Sequence, residues 1–323
     1  MNLFELSAAN AAEYLRERQG IESRDVKELG GGVSNAVLLV DDAFVMKQSL
    51  GKLRVEQDWF SDRERIHREC EAIRMLHEDL PAGSVPSIVF EDRDNCIYAM
   101  SAAPDGSRPW KSILMEGSLD LRTVRNIGNL LASIIRVSRG NAKYRDRFHE
   151  LRVFDQLRLD AYYRATALRH PDLAGFFHQL IYDTQHRDFS LVHGDWSPKN
   201  LLVAPQGQVM AIDFEVVHYA DPAFDAGFLI NHLILKSLYL DRADYAQAAL
   251  TFFEPVAAAV GEDWFEAATV RHLAALMLAR VDGKSPAEYI DTDVLRNRVR
   301  KVAIGLMQDN VATLAETMER LYD

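Results

Sequence analysis

The chain reads as an α+β protein of two lobes: a small N-terminal antiparallel β lobe with one long helix, and a larger, mainly helical C-terminal lobe. Three observations lead there. The first hundred residues hold two pairs of short apolar runs, each pair joined by a polar turn, as in β-hairpins. One run of helical period lies between the pairs. After about residue 104, helical periods dominate. With 323 residues and an ordinary 48% apolar share there is room for two lobes, and residues 1–103 and 104–323 are the expected division.

The elements follow in order. The first ~20 residues carry Leu6, Ala9, Tyr14 and Leu15 at helical positions. Gly30-Gly31-Gly32-Val33-Ser34-Asn35 leads into a strand through Val40, Asp41-Asp42 makes a tight turn, and Ala43 to Gln48 returns. Residues 61–80 predict the clearest helix, opened by the capping box Ser61-Asp62-Arg63-Glu64 and continued by Ile66, Cys70, Ile73, His77 and Leu80. Ser87–Glu91 and Cys96–Met100 form a second hairpin across Asp92 to Asn95. Ala102 to Gly106 breaks the pattern and is the expected hinge. Helices are then expected at Leu121–Val137, Phe148–Leu168, Leu173–Gln185, Asp225–Leu240, Arg242–Val260 and Asp263–Arg280, with a final pair at the C-terminus. A strand–loop–strand insert interrupts them at Leu191–Glu215. A ligand is expected in a cleft between lobes.

Composition narrows the function classes. No apolar run reaches the ~20 residues that span a bilayer, and the N-terminus lacks a signal-peptide layout, so a soluble cytoplasmic protein is expected. The net charge of −11 argues against nucleic acid as a partner. Cys70 and Cys96 have no partner pattern, and the ten histidines show no zinc spacing. A small-molecule substrate is expected, with no membrane partner. The oligomeric state stays open, a homodimer included.

The chemistry concentrates in His193-Gly194-Asp195-Trp196-Ser197-Pro198-Lys199-Asn200 and Ile212-Asp213-Phe214-Glu215. Asp195, on the loop after a strand, could accept the proton of an attacking hydroxyl. Alone it would read as a turn aspartate. The Asn200 amide oxygen and the Asp213 carboxylate, each at a strand end, are hard oxygen ligands suited to magnesium. Lys47 lies inside an apolar strand, where it is either an edge residue that extends to water or a ligand for nucleotide phosphates. The second role needs an acidic partner on the long helix. With Ile66 as reference at ~100° per residue, Glu69 falls beside the apolar stripe and Glu71 toward solvent, so Glu69 is the expected partner. The Gly30–Gly32 turn precedes a strand and is not a Walker A loop. The backbone of Gly31 and Gly32, with Ser34 and Asn35, could cover phosphates.

These residues, in this order, resemble the aminoglycoside phosphotransferase and choline kinase family, the small-molecule branch of the protein-kinase-like fold. The match runs from Gly30–Asn35 through Lys47, Glu69, the break after Met100, His193–Asn200 and Ile212-Asp213 to Asp221-Pro222-Ala223-Phe224-Asp225-Ala226-Gly227. The resemblance implies ATP and Mg2+ as cofactors. It implies Asp195 as catalytic base, Asn200 and Asp213 as metal ligands, and Lys47 with Glu69 on the phosphates. Met100, Ser101 and Ala102 would line the adenine pocket, and His193 and Asp225 would support the catalytic loop. Lys199 either neutralises the transferred phosphoryl group or is a solvated lysine. The D-x-E pattern of Asp213 and Glu215 is similar to that of methylthioribose kinases, where the glutamate joins the metal site. Asn200 stands where those enzymes place Ser, and only Arg280 stands near their arginine pair.

The expected activity is transfer of the ATP γ-phosphoryl group to a hydroxyl of a sugar, thio-sugar or amino alcohol, with a methylthioribose-like acceptor included. The alternatives are an aminoglycoside-modifying phosphotransferase and a nucleotide-binding pseudokinase. The acidic balance would suit a polycationic aminoglycoside, although no local acidic loop for one is apparent. Trp196, His218 and Arg280 are the candidate substrate contacts, with Glu215, Tyr219 and His232 also considered. Arg280 follows the apolar Leu276–Ala279 and needs an anionic partner if buried.

Overall fold

The computed structural model describes residues 4–30, 35–51 and 62–321. The chain divides into two compact units, one of Met1–Asp105 with Met210–Glu215, the other of Gly106–Val209 with Val216–Asp323. The 210–215 segment, far from the N-terminus in sequence, thus belongs to the first unit. Gly31, Gly32 and Ser34 lie outside the described residues, as does Ser61 of the expected capping box.

The first unit is built on a five-stranded antiparallel sheet in the order β1 (Val26–Glu28), β2 (Asn35–Val40), β3 (Phe44–Ser49), β5 (Ile97–Ser101) and β4 (Ile88–Asp92). Asp41 and Asp42 turn the first hairpin with φ near +50°, a conformation that short polar side chains tolerate. The Asp41 carboxylate also accepts from the Arg24 and Asp25 N–H groups, at 2.9 and 2.8 Å.

Side-chain alternation along β3 gives the sheet its two faces. Met46 joins Leu6, Ala11, Tyr14, Leu15, Leu38, Val40, Ile97 and Ala99 in an apolar core. Gln48, on the same face, ties down the N-terminal segment by accepting from Leu6 N–H (2.7 Å) and donating to the Phe4 carbonyl (2.9 Å). The intervening Lys47 therefore points to the opposite face. The long helix is Arg65–Asp79, shorter than the expected 61–80, and its N-cap Glu64 makes no side-chain cap. The Asp62 carboxylate instead accepts from Glu64 N–H at 3.0 Å, a turn one residue ahead of the helix.

The second unit is mainly helical. Leu121–Ser138 is opened by Asp120, which accepts from the Arg122 and Thr123 N–H groups. It packs against Ala243–Val260, and Ala223–Leu240 packs against Phe265–Asp282. The helix expected from Phe148 to Leu168 begins instead at Arg152 and runs on to Arg169, and a separate short helix precedes it. Asn141 caps Ala142–Phe148, which ends at Phe148, and the chain restarts at Arg152. From Asp155 to Arg164 the restarted helix has wide, π-type turns before α geometry resumes over Ala165–Arg169. The final pair is Asp293–Gln308 and Leu314–Arg320. Short strands complete the unit: β6 (Arg108–Pro109) pairs with β8 (Leu201–Val203), and β7 (Ser190–Val192) with β10 (His218–Ala220), both antiparallel. Within β9 (Val209–Ala211) the chain crosses from the second unit to the first. No helix among the described residues is long and apolar enough to cross a membrane.

Gly128 marks the closest approach of two helices. A Cβ built there would lie 2.5 Å from the Phe252 carbonyl oxygen and 2.8 Å from Pro255 Cγ. In an exposed helix, Gly→Ala stabilises by ~1 kcal/mol. Here the backbone of the facing helix must move, and overpacking costs ~1–3 kcal/mol. Gly128→Ala is therefore expected to lower the urea midpoint without changing the slope. A raised midpoint would show that the helices part freely at this point.

Candidate active site

In the first unit the Lys47 ammonium, almost fully buried, lies 2.8 Å from both carboxylate oxygens of Glu69 and 2.5 Å from Asp213 Oδ1. Glu69 has no exposed surface, so the pair is removed from water on both sides. The helical-wheel choice of Glu69 over Glu71 thus matches the geometry. Burial alone would favour neutral Lys47, but Asp213, Glu69 and Glu215 outweigh it and raise its pKa. Burial pushes the Glu69 carboxyl up to about 7, with Lys47 pulling it back down and Asp213 and Glu215 raising it again. Asp213 is in the left-handed region (φ 70°), a conformation that costs about 1 kcal/mol or more in a non-glycine residue. Glu215 Oε2 accepts from Asn35 Nδ2 at 3.0 Å and from Arg65 Nε at 3.2 Å. This cluster of three carboxylates and two cations favours a further positive charge.

Met100 lies on β5 opposite Val45. The N–H groups of Ser101 and Ala102 are already bonded to the Ser87 and Ala43 carbonyls, at 2.8 and 3.0 Å. Ala103 N–H, just past the strand, is the first backbone donor there without a partner among the described residues.

In the second unit the loop after β7 is held from beneath. The Asp225 carboxylate accepts from His193 N–H (2.6 Å) and Gly194 N–H (2.9 Å). Gly194 has φ 76°, and a Cβ there would meet the Val216 carbonyl at 2.8 Å, so the turn requires glycine. His193 Nδ1 accepts from Asp195 N–H at 3.1 Å, and the Asp195 carbonyl accepts from Ser197 N–H and Asn200 Nδ2, at 2.7 and 3.0 Å. Asp195 is thereby fixed through its backbone. Its carboxylate Oδ2 lies 3.0 Å from Lys199 Nζ and 3.2 Å from an Arg158 guanidinium nitrogen. Arg158 also donates to the Gly194 carbonyl at 2.6 Å.

Nothing in the sequence patterns singled out Arg158. It stands on the wide-turned helix, outside any motif, and only the fold brings it to Asp195. Two candidate substrate contacts look different in the structure. Trp196 has no exposed surface and packs against the His193 ring, and its indole N–H has no partner among the described residues. His218 is buried, stacked on Phe154 at 3.8 Å, with Nδ1 at 2.9 Å from the Val216 carbonyl. Both side chains are thus buried against neighbouring rings, Trp196 on His193 and His218 on Phe154. Tyr219 is bonded through its hydroxyl to the Ser138 and Phe189 carbonyls. Arg280 donates to the Ser285 carbonyl and hydroxyl, and its Nε is buried without a partner among the described residues.

A strand lysine paired with a helix glutamate in a unit built on a five-stranded sheet, with an H-G-D loop in a helical unit, defines a phosphotransferase of kinase type. Solved structures share the fold. An APH(2'') enzyme with GDP and kanamycin has a TM-score of 0.56 at 14% identity, with 98% of each chain covered. The aminoglycoside phosphotransferase APH(2'')-Ib with ADP has 0.54 at 14%, covering 98% of this chain and 99% of that one. An amicoumacin kinase with AMP-PNP and Ca2+ has 0.55 at 15%, covering 89% of each. A search of curated protein sequences finds no match. The phosphotransferase enzyme family model matches residues 25–259, and the chain belongs to that family.

Lys47→Met leaves Glu69 buried with no cation in contact, a loss expected to cost ~3–5 kcal/mol. Adding Glu69→Leu should restore much of it. Strict additivity of the two changes in chemical denaturation would mean that the pair is not coupled. Asp225 supplies a pH signature. Burial pushes its carboxyl up to about 7, against the two backbone N–H bonds, with Asp195 raising it further and Arg158 lowering it. A folded pKa raised above the unfolded value favours folding while the group is protonated. That contribution is full below about pH 4 and lost as pH rises toward 7. The thermal midpoint of the wild type is expected to fall relative to Asp225→Asn between pH 4 and 7 and to run parallel above. A constant difference across that range would rule out the shift.

Proposed function

We propose that the protein is an ATP-dependent kinase that phosphorylates a hydroxyl of a small metabolite. The observation that carries this reading is the H-G-D loop. Asp195 is immobilised through its backbone by His193, Ser197 and Asn200, with its carboxylate left to Lys199 and Arg158. The family match and a fold shared with nucleotide-bound kinases support it.

In this reading Lys47, held by Glu69, grips the nucleotide phosphates, and the backbone at Ala103 meets the adenine. Among the described residues no three His, Cys, Asp or Glu side chains form a ready metal cage. Magnesium suits such a site, because it takes one or two protein carboxylates and fills its octahedron with phosphate oxygens and water. In the first unit Asp213 would hold it, with Glu215 as a further carboxylate, and it would neutralise charge on the β- and γ-phosphates. Asp195 accepts the acceptor's proton and aligns its oxygen for in-line attack, with no covalent enzyme intermediate. Lys199, half-exposed beside Asp195, would neutralise the phosphoryl group in transfer. Arg158 is a positioning residue: it spans the Gly194 carbonyl and the Asp195 carboxylate.

Asp195→Asn is expected to lower kcat by ~10²–10⁴-fold and leave Mg-ATP binding, read by thermal shift, within a few-fold of wild type. Turnover near the wild-type rate in a coupled ADP assay would remove Asp195 from its role.

A further inference from the structure

The second unit contains a cationic group with no carboxylate to balance it. Lys236 lies on Ala223–Leu240 with 1% of its surface exposed. Its ammonium meets only a phenol, 3.5 Å from the Tyr289 hydroxyl and 5.0 Å from the ring centroid. Among the described residues no carboxylate forms an ion pair with Lys236 or with Arg280, whose Nε is buried and unpartnered. A buried ammonium in such surroundings costs several kcal/mol unless it loses its proton or gains an anion. Burial, then the charges of Lys111 and Arg280, push Lys236 down to about 7. Burial, then Lys236, Arg280, Lys199 and Lys111, hold His232 well below the usual histidine value. The cations therefore converge on one region.

A chain of aromatic contacts leads from Asp195 toward that region. The Arg158 guanidinium, 3.2 Å from Asp195, lies 6.0 Å from the ring centres of both Tyr162 and Phe228. Phe228 touches the His232 ring at 5.3 Å, and Lys236 follows one helical turn on. Tyr162 ties in Arg280. Its burial would raise the phenol, but Arg280 and Arg158 lower it. Residues 228 to 236 span about 12 Å at ~1.5 Å per residue, the length of a small polyhydroxylated metabolite.

We infer that the phosphoryl acceptor carries an oxyanion, a carboxylate or a phosphate ester, which Lys236 and Arg280 hold while Asp195 takes its hydroxyl. This inference rests on the kinase reading for the hydroxyl end alone. The anion end stands on Lys236 and Arg280. The charges that attract an oxyanion would disfavour a polycationic aminoglycoside.

The test uses the full chain with Mg-ATP and an ADP-release assay on matched acceptors: glycerate and gluconate, glycerol 3-phosphate and ribose 5-phosphate, then glycerol, glucose, choline and kanamycin. Turnover is expected with hydroxy acids or phosphate esters, and whichever arm responds identifies the oxyanion. Lys236→Met should raise KM at least tenfold with kcat within a few-fold. The variant should fold at least as well as wild type, because it removes an unpaired buried charge. Independently of turnover, inorganic sulfate should bind the nucleotide-free protein in calorimetry, and Lys236→Met or Arg280→Met should weaken it at least tenfold. Preference for neutral or cationic acceptors, or sulfate binding that neither variant changes, would overturn the inference. No ADP release from any acceptor, with sulfate binding still dependent on Lys236, would overturn the kinase reading and leave the anion site standing.

Discussion

The ion pair between Lys47 and Glu69 is the constraint on which the first unit depends. Two charged groups are withdrawn from water there, and their mutual contact and the Asp213 carboxylate beside Lys47 help to compensate. A well-packed apolar pair would stabilise the sheet and helix as well or better. What the ion pair supplies is placement. Strand alternation sends Lys47 away from the Met46 core, and the long helix brings Glu69 against it. Asp213, more than a hundred residues further along, must join the same unit to complete the set. The left-handed backbone at Asp213 shows the cost of that arrangement at a position where a carboxylate is needed.

The second unit solves a similar problem by backbone capture. Asp225 opens a long helix and binds the two N–H groups that precede Asp195, and Asn200 binds the carbonyl that follows. Gly194 makes the turn sharp enough. The carboxylate of Asp195 is thus held by bonds that do not consume its oxygens, which remain for Arg158 and Lys199. A proton acceptor needs that division between a fixed main chain and a charged end in polar contact.

Much of this was legible in the sequence, for identifiable reasons. The Asp41-Asp42 turn marks the first hairpin because few residues tolerate left-handed backbone, and the run of polar turn formers Asp92–Asn95 marks the second. Glu69 was distinguishable from Glu71 because a helix has one buried face. The H-G-D loop was legible because its residues act through neighbours close in sequence. The three-residue strand Val26–Glu28 and the helix Ala142–Phe148 were too short to show a period. Arg158 was invisible because its partners lie 36 and 37 residues away, on a helix whose widened turns break the usual spacing. Lys236 did leave a signal. A single lysine in Leu233-Ile234-Leu235-Lys236-Ser237-Leu238 on a helix apolar all round asks for a partner, as Arg280 after its own apolar run was recognised to do.

Charge shows most clearly where whole-chain reasoning fails. The net balance of −11 suggests a protein that tolerates cationic ligands. Yet the acidic residues of the second unit are largely paired at its surface, as in Arg125–Glu254, Arg139–Glu262 and Lys284–Asp160, where water screens them. Inside, the Lys236 ammonium and the Arg280 Nε are buried with no carboxylate in an ion pair among the described residues. A field is felt through the local dielectric, and one buried ammonium outweighs many solvated carboxylates at that distance. The family's fold carries phosphoryl chemistry, and the acceptor proposed for it is argued from the interior charges of this chain.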